Sequence, residues 1–181
     1  MKYLIASDIH GSALYCRKLL ERYDAEKADR LILLGDILYH GPRNDLPEGY
    51  DPKEVSRMLN ERAGDILCVR GNCDAEVDQM MLTFPIMAEY ALLSVGETLV
   101  YLTHGHINGA YNPPPLKEGD ILLHGHTHDP ACADSETFIY MNPGSVSIPK
   151  GESERSYMTL EDGEFLWKKL DDGAVYMEYR K

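Results

Sequence analysis

The stretch Tyr3-Leu4-Ile5-Ala6-Ser7-Asp8-Ile9-His10-Gly11-Ser12 sets the reading of the whole chain. Its apolar start, Tyr3 to Ala6, predicts a strand, and an Asp-x-His pair follows directly at the strand's carboxyl end. Ser12 then offers a helix N-cap, and Cys16, Leu19, Leu20 and Tyr23 recur at i, i+3, i+4, i+7, the face of a helix. Leu31 to Leu34 is a continuous apolar run, the mark of a buried parallel strand. Asp51-Pro52-Lys53-Glu54 opens the next helix with a cap, Pro at the first helical position and Glu at the third. Val55, Met58 and Leu59 supply its buried stripe, and Ile66 to Val69 is the third strand. This βαβαβ order implies a parallel sheet with right-handed crossovers.

The second half is patterned differently. Tyr90 to Val95 and Leu99 to Leu102 flank Gly96-Glu97, a hairpin signal. Ile121 to Leu123, Phe138 to Met141, Tyr157 to Leu160, Phe165 to Leu170 and Ala174 to Tyr179 follow as short strands. Asp162-Gly163 and Asp172-Gly173 mark tight turns between the last three. The expectation is an α/β core whose later strands build a mixed or antiparallel second sheet. With 181 residues, the chain is expected to form one domain over positions 1–181.

Lys+Arg of 18 against Asp+Glu of 30 gives a net charge of −12. Such a body repels polyanions, which disfavours roles on long nucleic acid or anionic membrane. A small phosphorylated substrate stays compatible, because a local site can be positive on a negative body. The opening apolar run is too short for a signal-peptide core, and no stretch reaches the roughly 18 apolar residues of a membrane span. The four cysteines form no CxxC pair and no dense framework, which points to a reducing cytoplasm.

Histidine carries the chemical signal. Four of the seven lie in Thr103-His104-Gly105-His106 and Gly125-His126-Thr127-His128. Asp8 and His10, at spacing two, can face one cleft, as can His126 and His128. Asp36 follows Gly35 after an apolar strand, and Gly71-Asn72-Cys73-Asp74 ends the third. Each group stands just past a strand's carboxyl end, the edge where open α/β sheets bind ligands. Asp, His and Asn donors suit Mn, Fe, Zn or Ni, and the inventory is too large for one ion. It fits two metals sharing a carboxylate, an arrangement suited to phosphoryl transfer.

In this order, Asp8-x-His10, Gly35-Asp36, Gly71-Asn72-x-Asp74, His104 and Gly125-His126-x-His128 resemble the calcineurin-like metallophosphoesterase signature. The resemblance runs from Met1 to about Lys150. Within the family, His40-Gly41-Pro42-Arg43-Asn44, the Asn72-Cys73-Asp74 variant and Asn142-Pro143-Gly144-Ser145 resemble the small bacterial YfcE-type phosphodiesterases. The resemblance implies an αββα sandwich of two mixed β-sheets flanked by helices. It also implies Asp8, His10 and His128 on one metal, Asn72, His104 and His126 on the other, and Asp36 bridging. The implied activity is hydrolysis of small phosphodiesters by in-line attack of a metal-bridging hydroxide, with manganese the first candidate metal. Asn72, Cys73 and His106 are the candidate catalytic side chains.

This chain departs from the family pattern at one position. Cys73 stands where the family carries a histidine that contacts the phosphate and protonates the leaving group. A thiol is a weaker charge stabiliser than imidazolium, so a bias toward diesters with good leaving groups is expected.

Plainer readings stand beside these. Asp8 and Asp36 taken singly could be helix caps, His106 could lie on the substrate side or behind the ligands, and Cys73 could be an ordinary loop thiol. Arg43 and Asn44 could reach the phosphate or merely form a turn. Asp74 could orient His10 or a neighbouring ligand, or cap the turn that follows. Asn142 to Ser145 reads first as a turn, and His40 and His124 as structural residues. Two rival functions remain: hydrolysis of monoesters or nucleotide polyphosphates, and a non-catalytic interaction scaffold on the same fold. All seven ligand positions carry ligating side chains, which argues against the scaffold. A homo-oligomer is left open.

Overall fold

In the computed structural model, which describes residues 1–181, Ser12 accepts the Tyr15 amide and starts helix α1 (Ala13–Glu26). Cys16, Leu19, Leu20 and Tyr23 are its buried face, as the spacing predicts. Asp51 likewise accepts the Glu54 amide at 3.1 Å and caps α2 (Pro52–Asn60), which buries Val55, Met58 and Leu59. The three strands around these helices are β1 (Tyr3–Ala6), β2 (Arg30–Leu33) and β3 (Ile66–Cys68), and they pair in parallel. Helix α3 (Glu76–Met81) follows.

β4 (Tyr90–Val95) and β5 (Thr98–Thr103) form the expected hairpin. They continue into β6 (Asp120–His124), β7 (Ala131–Ser135) and β8 (Phe138–Asn142) to make a sheet of order β4-β5-β6-β8-β7. In it β5, β6 and β8 run parallel and the two edge strands antiparallel. β9 (Ser156–Glu161), β10 (Glu164–Lys169) and β11 (Val175–Arg180) complete the chain.

These last three strands do not join the second sheet. They extend the first, in the order β11-β10-β9-β1-β2-β3, with β9 antiparallel to β1 in the register Leu4↔Thr159 and Ile5↔Met158. The reason is backbone pairing. Leu4, Ile5 and Ala6 are fully buried, so the free edge of β1 needs hydrogen-bond partners, and β9 provides them. Both sheets are thereby mixed.

Alternation along β1 and β2 explains why they read as unbroken apolar runs. Leu4, Ala6, Leu31 and Leu33 face α1 and α2, in a cluster with Leu19, Val55 and Leu59. Ile5, Ile32 and Leu34 face the other sheet, packing with Val100, Leu102, Ile121, Leu123 and Met141. Trp167 of β10 is buried in this second core, and its indole N–H donates to the Asn142 carbonyl at 2.6 Å. All three helices precede β4 in the chain. On the second sheet, the segment 104–119 folds back, and the Ala110 amide donates to His124 Nε2. No helix is long and apolar enough to cross a membrane.

Candidate metal centre

The loops leaving β1 and β2 run side by side. The Asp8 amide donates to the Gly35 carbonyl at 3.1 Å, and the His10 amide to the Asp36 carbonyl at 2.9 Å. This lays Asp8, His10 and Asp36 along one sheet edge, and the loops after β3, β5 and β6 bring Asn72, His104, His126 and His128 to it. Asp8, His10, Asp36, His104 and His128 are all buried. Asp8, His10, Asp36, His126 and His128 also have positive φ, between 49° and 67°. Non-glycine residues rarely adopt that region, and five at one locus mark strained backbone held by its surroundings.

Two glycines allow the loops to touch. A Cβ on Gly71 would lie 2.1 Å from Asp36 Oδ1, and one on Gly125 would lie 1.9 Å from Ser7 Oγ. The Gly before Asn72 and the Gly before His126 are therefore required by close approach, not only by turning.

Three imidazoles are oriented identically. His10 donates Nδ1–H to the Tyr39 carbonyl at 2.8 Å, His104 to Leu34 at 2.6 Å and His128 to Ile148 at 2.6 Å. Each Nε2 lone pair then points inward. His10 Nε2 meets His128 Nε2 at 3.1 Å, and Asp8 Oδ1 lies 3.5 Å from the first and 3.2 Å from the second. A few ångströms away, His104 Nε2 lies 3.1 Å from Asn72 Oδ1 and 3.2 Å from His126 Nδ1. Asp36 Oδ2 stands between the groups, 3.7 Å from His10 Nε2 and 3.4 Å from His104 Nε2.

These contacts join acceptor to acceptor. Facing lone pairs repel unless a proton or a cation lies between them, and Asp8 Oδ1 is buried without any hydrogen-bond partner. A donor set of imidazole nitrogens, carboxylates and one carboxamide, with its lone pairs turned inward, fits divalent metal. Asp8-His10-His128 and Asp8-Asp36-His104 are each compact enough to hold an ion.

The electrostatics show how strongly the cluster draws positive charge. Burial opposes ionisation of Asp8, but the His10 and His128 imidazoles facing it hold its carboxyl well below the usual range. Burial likewise opposes charge on His104, yet Asp36 and Asp8 raise it to about 9. Burial and the His104 charge push His126 down to about 4.

The surrounding groups sort less evenly. Asp74 does not orient His10. Its carboxylate accepts the amides of Asp36, Ile37 and Gly71, at 2.9, 2.9 and 2.7 Å, and so fixes the loops of two candidate ligands to each other. Asn142 to Ser145 is more than a turn. Asn142 donates to the Gly125 carbonyl at 2.8 Å, and the Ser145 and Ser147 hydroxyls both donate to the Asp8 carbonyl. Sequence reasoning missed Ser147, and only the neighbouring Asn-Pro-Gly-Ser turn hinted at it.

Cys73 faces the cleft. Its thiol accepts from Asn72 Nδ2 at 3.2 Å, and burial together with the Asp36 charge pushes it up. Arg43 and Asn44 line the cavity over the candidate ligands, but the Asn44 amide is engaged with the His40 carbonyl at 2.8 Å. His106 is exposed at the rim, its ring 5.4 Å from that of His104. His124 stacks on Tyr140 with centroids 4.7 Å apart, a structural role.

Twinned His/Asp clusters at the shared carboxyl edge of two facing mixed sheets define the class, a metal-dependent phosphoesterase. The chain belongs to the calcineurin-like phosphoesterase superfamily, whose domain model matches residues 1–163. It is 46% identical over 175 residues to Phosphodiesterase YfcE of Escherichia coli (strain K12), covering 97% of this chain and 95% of that one. The solved structure of Yfce, a phosphoesterase from E. coli, superposes with a TM-score of 0.96 at 44% identity, covering 99% of each chain. Vps29 of Entamoeba histolytica, complexed with Zn+2, matches with a TM-score of 0.60 at 20% identity over 99% of each chain, a likeness of fold alone.

Proposed function

We propose that this chain hydrolyses small phosphodiesters at a centre of two divalent metal ions. The observation that carries the reading is the inward convergence of Nε2 lone pairs on the unpartnered Asp8 Oδ1. Asp8, His10 and His128 would hold one ion and Asn72, His104 and His126 the other, with Asp36 shared between them. When bound, two such ions neutralise phosphoryl charge and acidify a water toward neutral pH. Manganese is the first candidate, and zinc, iron and nickel suit the same donors.

The chain's own residues orient and select. Asn72 turns its carbonyl oxygen to the cluster because its amide N–H is held by Cys73. Arg43 adds positive charge at the cavity wall. Cys73, kept protonated at neutral pH, brings no charge to the phosphate, which leaves the reaction dependent on good leaving groups. That favours diesters over monoesters, in keeping with the name of the E. coli relative. The net charge of −12 supports a small, diffusible substrate over long nucleic acid. Four free thiols fit a reducing cytoplasm.

A metal-by-substrate matrix on protein stripped of metal tests the reading. Diesters, monoesters and dinucleotide polyphosphates are each assayed with Mn, Zn, Fe and Ni. The expected result is hydrolysis confined largely to diesters and strictly dependent on added metal. Preference for monoesters or polyphosphates would replace the diester reading, and no hydrolysis under any metal would favour the scaffold.

A further inference from the structure

Two cavities meet at the candidate metal centre. One, about 420 Å³, lies over the candidate ligands and is walled largely by polar and charged residues, among them His10, Asp36, Arg43, Asn72 and Cys73. The other, about 1100 Å³, opens beside it from His106 toward Tyr140. His126, Thr127 and Lys150 line both. The smaller space can seat a phosphoryl group. Apart from His126, the larger one is lined by none of the candidate metal ligands, and it abuts the first along these three residues.

The chemistry of the larger cavity is that of an organic group. Ile107, Ala110, Tyr111, Ala131 and Tyr140 contribute its apolar wall. Tyr111 sits in the tight turn closed by the Gly109–Asn112 bridge and is fully exposed, at 103%. Ile107, in the same lining, is 51% exposed. Exposed aromatic and aliphatic side chains beside a polar centre are what a ligand-binding rim provides. Lys150, at the junction, takes part in none of the molecule's ion pairs, although acidic residues outnumber basic ones by 30 to 18.

Resting on the phosphodiesterase reading, we infer that the larger cavity binds one ester arm of the substrate and that the arm is a flat, ring-bearing group. Tyr111 and Ile107 cover the ring, and Lys150 faces the anion at the neck between the cavities. Tyr111 is thereby the specificity-determining residue, and the preferred substrates are diesters with one aryl or base-like arm and not two short alkyl arms. A phosphoryl group carrying only short alkyl arms would occupy the smaller cavity and leave this surface wet.

Phosphonates test this without turnover, because their P–C bond is not hydrolysed. Methylphosphonate and 1-naphthylmethylphosphonate are titrated into manganese-loaded protein, wild-type, Tyr111→Ala and Lys150→Met, and Kd is read by calorimetry. The expected wild-type preference for the naphthyl compound is on the order of tenfold, what partial burial of one aromatic ring is worth. Tyr111→Ala narrows that ratio to about two or less, whereas Lys150→Met weakens both ligands together and keeps the ratio. Since Tyr111 has no packing role to lose, unfolding does not confuse the comparison. Equal wild-type affinities, or an unchanged ratio in Tyr111→Ala, would overturn the inference while leaving the phosphodiesterase reading intact. No affinity for either phosphonate would overturn both.

Discussion

Asp74 meets none of the candidate ligand side chains, yet it decides where two of them stand. Its carboxylate takes three backbone amides, from Asp36, Ile37 and Gly71. Asp74→Ala strands those buried N–H groups and frees the loops of Asp36 and Asn72 to part. Metal affinity should fall by about 10–100-fold, as it does when an outer partner of a ligand is lost. Titration calorimetry of stripped protein reads this, and an unchanged affinity would contradict the positioning role. Cys73→His restores an ionisable donor beside the phosphate and should raise activity on monoesters and on diesters with poor leaving groups, measured as kcat/KM. No gain would remove Cys73 as the cause of the diester bias. At this scale the sequence offered the seven candidate donors, which the fold brings to one edge, because ligation demands particular side chains. It did not carry the Tyr39, Leu34 and Ile148 carbonyls that aim the imidazoles, since any residue presents a carbonyl.

At the scale of elements, the sandwich rests on strands that serve two cores at once. Ile32 is fully buried in the core between the sheets, while its neighbours Leu31 and Leu33 face the helices. Ile32→Ala should cost about 2–5 kcal/mol, measured by chemical denaturation, because neither layer can collapse into the space without disturbing the other. A cost under about 1 kcal/mol would contradict a packed interface between the sheets. The capped helices and apolar strands of the first half were legible because local signals and burial agree there. β7 was not, since Ala131-Cys132-Ala133-Asp134-Ser135 has no strand preference of its own and is made by pairing with β8. α3 is only six residues, too short to show a period. The sheet joined by β9 to β11 could not be read locally either, because it depends on which distant edge was left open.

Across the whole molecule, Glu26 ties the end of α1 to the first sheet. It accepts from Lys2 at 2.8 Å, Tyr157 at 2.9 Å and Lys168 at 2.7 Å. Burial opposes its charge, but these donors hold its carboxyl down at about 2. A depressed carboxyl stabilises the fold fully above its unfolded value of about 4.3 and loses that contribution as pH falls through its folded value. Stability of the wild-type protein should therefore drop between about pH 4 and about pH 2 more steeply than that of Glu26→Gln, in denaturation curves taken across that window. Parallel curves would contradict the linkage. The same acidic body frames the metal centre, where Asp8 and Asp36 would be neutralised by bound ions, leaving a positive cleft on a negative surface. On the proposed reading, this cleft works only through metal shared by Asp36. Its most direct measurement is hydrolysis of an activated aryl diester by chelator-stripped protein as divalent manganese is returned, in wild-type and Asp36→Asn forms. Wild-type turnover should be absent until metal is restored, and turnover should be lower by about 100-fold or more in Asp36→Asn at every metal concentration. Activity that survives stripping, or full activity in Asp36→Asn, would contradict that reading.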